Sequence, residues 1–496
     1  MISRSAGLLL HPTSLPSRFG IGDLGSEAEA FLDWAAAAGQ RIWQVLPLGP
    51  PGFDNSPYDT QSSFAGDPLL ISPERLREEG LLDASALKDP PAFPAERIAF
   101  GAVIEWKQKL LRLSWERFRL HAPSGIRQEL SSFVEGPQQA GWLADWALYA
   151  ALRRRFGERE WTSWDPPLRR REPAALDAVR QEMAEEIAYH EYLQFLFFRQ
   201  WDRLKEAAHR RGVGIMGDLP IYTALDSADV WANARLFQLA EEGRPEWVGG
   251  VPPDYFSPTG QLWGNPTYRW DRMEQEGYDW WIERVRANLR LADLVRLDHF
   301  RGFVDYWEVP ASEQTAANGR WIPGPREKLF TAIRSALGDL PVVAEDLGFI
   351  TPEVTRLRES LGFPGMKVLQ FAFGEPDSDH LPHHHVPESV VYTGTHDNDT
   401  TRGWFSALGP EEKKHVLQYL RAEEADIEWG MIRAAYESPA GLAIVPMQDV
   451  FGLGSEARMN TPGKSGGNWS WRSRREQFTP ELAGRLRQLA ERTGRF

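Results

Sequence analysis

The 496-residue sequence contains no cysteine, which excludes disulfides, thiolate metal sites and a cysteine nucleophile and fits a reducing, cytoplasmic setting. It also has no uninterrupted stretch of 18 or more apolar residues, as a membrane helix needs. The early run Leu8–Leu10 stops at His11-Pro12, too short for the core of a signal peptide, and no small-residue cleavage site follows it. Positive charge is in deficit. The 56 Lys and Arg stand against 70 Asp and Glu, a net charge of −14 with histidines neutral, so nucleic acid is repelled and a neutral or cationic partner is favoured. Gly20-Ile-Gly22 and Gly452-Leu-Gly454 lack the strand-and-helix context of a phosphate-binding glycine loop. Internal repeats and low-complexity linkers are absent as well.

Aromatic side chains are abundant: 21 Trp, 25 Phe and 12 Tyr. Most of these belong to a core, but a minority suit sugar rings, which are apolar on their faces and polar at the rim. The composition, 42% hydrophobic and 25% charged, is that of a globular protein. The length would allow several domains, but a large barrel can absorb insertions around one core.

Short, continuously apolar runs bounded by turn residues recur, as in parallel strands buried on both faces. They are Gly7–His11, Arg41–Leu46, Val213–Asp218, Leu294–Asp298, Pro341–Glu345, Met366–Phe371, Ser389–Thr395 and Ala443–Met447. Helical patterns separate them. Ser26-Glu-Ala-Glu29 reads as a capping box for a helix ending near Gly39, and Thr351-Pro352 opens another that Gly362 closes. Eight strands in βα alternation predict an α/β fold, a (β/α)8 barrel; a two-domain chain is the alternative. Residues 51–210 form a mainly helical insertion, with Val103, Trp106, Leu110, Leu113 and Leu193, Phe197, Trp201, Leu204 at helical spacing. Residues 222–290, rich in proline, glycine and aromatics, form a second, lid-like insertion. Both follow strand C-terminal ends and are expected over the barrel mouth.

Reacting groups of such barrels stand at strand C-terminal ends. There the sequence has His11, Asp218, Asp298-His299, Glu345-Asp346 and His396-Asp397-Asn398-Asp399, with Arg296 beside them. An isolated carboxylate here can simply cap backbone N–H groups. Four strand ends together suggest either a magnesium or calcium site or glycoside chemistry, which pairs an ionised with a protonated carboxyl group. The run His383-His384-His385 reads as a solvated loop rather than a metal site, so no metal is expected.

Ordered motifs run almost end to end: Leu9-Leu-His-Pro-Thr-Ser-Leu15, Ser56-Pro-Tyr58, Gly217-Asp-Leu-Pro-Ile-Tyr222, the fifteen-residue stretch Pro252–Pro266, Arg296-Leu-Asp-His299, Ala344-Glu-Asp-Leu-Gly348, Thr395-His-Asp-Asn-Asp399 and Asn460-Thr-Pro-Gly463 with Gly467-Asn-Trp-Ser470. In these the chain resembles the amylomaltases, 4-α-glucanotransferases of glycoside hydrolase family 77. The resemblance implies Asp298 as nucleophile, Glu345 as general acid and base, and Asp397 as third carboxylate. Arg296, two residues before Asp298 on a strand, points to the same side and would favour an ionised aspartate. Glu345 needs a raised pKa to donate its proton. Arg296, His299, His396, Tyr58, Trp263, Asp254, Gln261 and Asp218 are the expected substrate-binding positions, although Asp218 could equally hold other side chains in place.

The implied substrates are α-1,4-glucans and maltooligosaccharides, used without a cofactor. The three carboxylates do not separate transfer from hydrolysis. The 250s insertion, which could exclude water, and the short chain after the eighth strand, too little for the C-terminal β-domain usual in amylases, point indirectly to transfer, and the resemblance settles the preference. An amylase-type hydrolase, a silent glucan-binding barrel and a metal-carboxylate enzyme remain as alternatives, and a monomer is expected.

Overall fold

A computed structural model describes residues 3–253 and 257–496. Twelve strands are numbered here in chain order. Eight of them, β1 (Ser5–Leu9), β2 (Ile42–Gln44), β3 (Gly214–Leu219), β6 (Leu294–Leu297), β9 (Val342–Ala344), β10 (Gly365–Val368), β11 (Ser389–Tyr392) and β12 (Leu442–Pro446), form one parallel sheet. Its order is β10-β11-β12-β1-β2-β3-β6-β9. The Ala344 N–H donates to the Pro364 carbonyl at 2.9 Å, joining β9 to the start of β10 and bringing the two ends of the sheet together. The fold is the expected (β/α)8 barrel. Its strands stand where the apolar runs lie, the sixth cut short because Leu369–Phe371 turns into a 3-10 helix.

Every residue of β1 and β12 is buried, which is why these runs show no alternation. At Gly7 a Cβ would stand 2.7 Å from the Ile42 carbonyl oxygen, so close passage of β1 past β2 requires glycine.

The helix Ser26–Ala37 ends near Gly39, as expected, but its predicted capping box does not form. Gly25 precedes it, and Ser26 Oγ donates instead to Glu74 Oε2 at 3.1 Å, a partner in the first turn of the helix Pro73–Glu78 that sequence spacing does not reveal. The helix Pro352–Ser360 follows Thr351 and closes at Gly362 (φ 67°).

Between β2 and β3 the longest helices are Phe100–His121 and Ala184–Arg210. The second buries Leu193, Phe197, Trp201 and Leu204, and runs through Gly212 (φ 71°) into β3, so it serves as the barrel's own crossover helix. On the first, Val103 and Leu110 are buried while Leu113 is 47% exposed. The buried stripe is centred on Lys107, Ser114 and Phe118, and at 100° per residue Leu113 lies about 120° around the helix. Lys107 sits on the inner face because its Nζ donates to the carbonyls of Leu69 (2.5 Å) and Ile71 (3.0 Å), beside Asp23.

A second sheet, antiparallel and ordered β5-β4-β7-β8, combines β4 (Trp247–Val251) and β5 (Gln261–Pro266) with β7 (Asp305–Pro310) and β8 (Arg320–Pro323). Its own small core is Val248, Val309 and Ala316. Nothing in the sequence pattern announces it, since its halves lie on either side of barrel strand β6.

The triple histidine is only partly the solvated loop expected. His383 and His384 are exposed, but His385 is buried, with Nδ1 2.7 Å from Ser438 Oγ and Nε2 2.9 Å from the His380 carbonyl. Tertiary packing folds this one ring inward. No helix among the described residues is long and apolar enough to cross a membrane.

Candidate active site

Strand pairing puts the charged groups together. In the β3–β6 ladder Asp218 lies opposite Arg296, and in the β6–β9 ladder Leu297 lies opposite Ala344. The next residues, Asp298 and Glu345, therefore leave adjacent strand ends. Arg296 Nη1 donates to both oxygens of Asp218 at 2.9 Å, and its Nη2 is 2.8 Å from Asp298 Oδ1. Arg296 and Asp298 thus share one side of the strand end. Burial works against the guanidinium charge, yet Asp218 and Asp298 hold it protonated well above the ordinary arginine range.

A single cation serves several carboxylates, so it does not offset burial for all of them. Burial pushes Asp218 up to about 7 against the pull of Arg296, with Asp298 adding to the rise. Glu345 is likewise pushed up to about 7, first by burial and then by the Asp298 charge, although Arg296 opposes this. The Glu345 oxygens accept backbone N–H bonds from His299 (2.7 Å) and Leu347 (2.8 Å), which fix the carboxyl group in place. His299 has left-handed backbone geometry (φ 49°, ψ 50°), an uncommon state for a residue with a side chain. That conformation lets its N–H meet Glu345 directly after Asp298.

The far side of the site comes from loops. The Tyr58 hydroxyl donates to Asp218 Oδ2 at 2.8 Å, and the Tyr58 ring stacks on His396 with centroids 4.9 Å apart. His396 Nε2 lies 3.4 Å from Asp397 Oδ1. Burial lowers the pKa of His396 and brings that of His299 down to about 4, so both rings are neutral at pH 7. Trp263 meets the His299 ring edge-on at 4.9 Å, and its indole N–H donates to Gln261 Oε1 at 3.2 Å.

Ten of the eleven residues singled out from the sequence are thereby joined through contacts or chain adjacency: Gln261, Trp263, His299, Glu345, Asp298, Arg296, Asp218, Tyr58, His396 and Asp397. The eleventh, Asp254, lies outside the described residues. Among the described residues no group of three or more His, Asp or Glu is placed to hold a metal ion.

Two further residues bind Asp397, and a third borders the Tyr58–His396 stack. Asn460 Nδ2 donates to Asp397 Oδ1 at 2.6 Å, Arg458 Nη2 donates to the Asp397 carbonyl at 2.7 Å, and Trp469 flanks both Tyr58 and His396. Trp469 is itself left-handed (φ 60°). Asn460 and Trp469 stand in motifs quoted above, but only the fold brings Asn460 against Asp397 and Trp469 against Tyr58 and His396.

A (β/α)8 barrel whose mouth gathers four carboxylates around one arginine, with Asp218 and Glu345 raised by burial, and is bordered by aromatic rings, defines a carbohydrate-active barrel as the class. The comparisons give the particular family. The family model described as 4-alpha-glucanotransferase matches residues 10–477. A 4-alpha-glucanotransferase of Thermus thermophilus is 50% identical over the full length of both chains. That of Solanum tuberosum is 48% identical over 95% of this chain and 82% of its own. Among solved structures, amylomaltase from Streptococcus agalactiae in complex with acarbose has a TM-score of 0.96 at 38% identity, covering 99% of each chain. The chain belongs to the 4-alpha-glucanotransferase family.

Proposed function

We propose that this protein is a retaining 4-α-glucanotransferase that moves a segment of an α-1,4-glucan from a donor to the 4-hydroxyl of an acceptor glucan or glucose. The observation that carries the assignment is Asp298, ion-paired to Arg296, standing beside a Glu345 whose carboxyl group burial pushes up to about 7. In the first step the Asp298 carboxylate attacks the anomeric carbon while Glu345 gives its proton to the departing glycosidic oxygen. In the second, the Glu345 carboxylate takes the proton of the incoming 4-hydroxyl, whose oxygen displaces Asp298. Asp397, oriented by Asn460, bonds sugar hydroxyls and stabilises the oxocarbenium-like transition state. Tyr58, His396, His299, Trp263, Gln261 and Asp254 contact substrate, and Asp218 holds Arg296 in register.

The single barrel carries the expected helical subdomain of residues 51–210, except that its last helix, Ala184–Arg210, belongs to the barrel itself, and residues 222–290 as the side that receives acceptor glucan and limits water. The absence of cysteine suits a cytoplasmic enzyme. Incubation with maltotriose tests the reading: transfer yields longer oligosaccharides plus glucose, whereas maltose and glucose alone would establish an amylase-type hydrolase instead.

A further inference from the structure

The loops that carry Asp298 and Glu345 also hold aromatic side chains with no role in the chemistry above. Phe349, four residues after Glu345, is 75% exposed, and Trp321, on β8, is 37% exposed. Both belong to one construction around Arg301, which is two residues after His299. Arg301 Nη1 donates to the Phe349 carbonyl at 2.6 Å and Nη2 to Asp305 Oδ1 at 2.6 Å. Its guanidinium lies 4.0 Å from the Trp321 ring centroid and 5.7 Å from that of Phe349. Trp321 is further braced edge-on by Trp307 at 5.2 Å, and the Trp307 indole N–H donates to the Ala316 carbonyl.

A phenyl ring left in water forfeits roughly 1.5–3 kcal/mol that burial would return, and one such ring needs no explanation. Two exposed rings braced by a buried arginine form a rigid platform instead. Four residues of chain span at most about 14 Å, so Phe349 stays within a few sugar units of Glu345.

We propose that Phe349, Trp321 and Arg301 form an outlying binding shelf for the α-1,4-glucan chain, engaging pyranose faces beyond the sugars held at Asp298 and Glu345. The inference rests on the glucanotransferase reading. Its support is continuity, because Arg301 and Phe349 follow the two reacting carboxyl groups on their own strand-end loops, and Arg301 lies against Trp321 of β8. Aromatic faces suit the C–H faces of glucose, and Arg301, buried beneath the rings with its Nη groups engaged by Phe349 and Asp305, holds them in place. Short donors do not reach the shelf, so it selects for chain length.

Phe349→Ala, Trp321→Ala and the double variant test this, since exposed rings contribute little to folding. Each single substitution is expected to raise KM for soluble amylose roughly 3–10-fold, leaving kcat and both maltotriose constants unchanged. Retardation in native gels containing amylose reads binding without turnover and should fall in parallel, with Phe349→Trp restoring it. Unchanged amylose constants, or equal changes for maltotriose and amylose, would overturn the shelf. So would conversion of a dimeric wild-type protein to a monomer by these substitutions, which would make the rings a contact between copies. A wild-type protein that binds amylose but does not disproportionate maltotriose would sink the glucanotransferase reading and leave the shelf standing.

Discussion

The Tyr58 hydroxyl donates to Asp218 Oδ2 over 2.8 Å, tying a loop of the first insertion to the end of β3, 160 residues later. Asp218 in turn holds Arg296, so the bond reaches Asp298 through two side chains. Tyr58→Phe keeps the ring on His396 but removes this donor. A bond to a charged group is worth about 1.5–3 kcal/mol, so kcat/KM for maltotriose should fall roughly 10–100-fold. A change under twofold would show that Asp218 orients Arg296 unaided.

Asp298→Asn keeps the shape of the side chain and removes the attacking carboxylate. Turnover should drop at least ~10⁴-fold, as for loss of a covalent nucleophile, while amylose still retards the variant in native gels. Residual activity near wild type would exclude Asp298 as nucleophile.

Glu345, raised to about 7, carries a pH signature. Donation needs the protonated form, so the rate of the glycosylation step should decline as pH rises through about 7, and Glu345→Gln should abolish that limb together with most activity. Stability runs in the same direction. Between the ordinary glutamate pKa of about 4.3 and 7, the unfolded chain has released this proton and the native state retains it, so the stability of the native state falls as pH rises across that window. Glu345→Gln should therefore melt about 1–3 °C higher than wild type at pH 8, the gap closing near pH 4. Scanning calorimetry at the two pH values decides this.

Lys107 is buried between two carbonyl groups and Asp23. Lys107→Met fills the space but leaves these acceptors unpaired, a loss of about 3–5 kcal/mol. Chemical denaturation should show it as a lower midpoint, and an unchanged midpoint would mean water replaces the ammonium group.

The Asp298 and Glu345 carboxyl groups should stand roughly 5–5.5 Å apart in a crystal structure, the retaining spacing. A crystal structure with a gap of 6.5–9.5 Å would point to an inverting reaction.

The sequence by itself determined the barrel and which charged residues meet at its mouth. Parallel strands buried on both faces must be written as unbroken apolar runs, and the side chains just beyond their C-terminal ends must ring one mouth. Asp218, Arg296, Asp298 and Glu345 were legible for that reason, since their proximity follows from strand order and register. The tertiary structure alone decided what depends on distant loops meeting. Asn460 and Arg458 against Asp397, the left-handed Trp469 beside Tyr58, the second sheet built across β6, the inward turn of His385 and the diversion of Ser26 to Glu74 are all of this kind. Local periodicity records which face of an element is buried, whereas a contact between residues far apart in the chain leaves no spacing for a sequence to display.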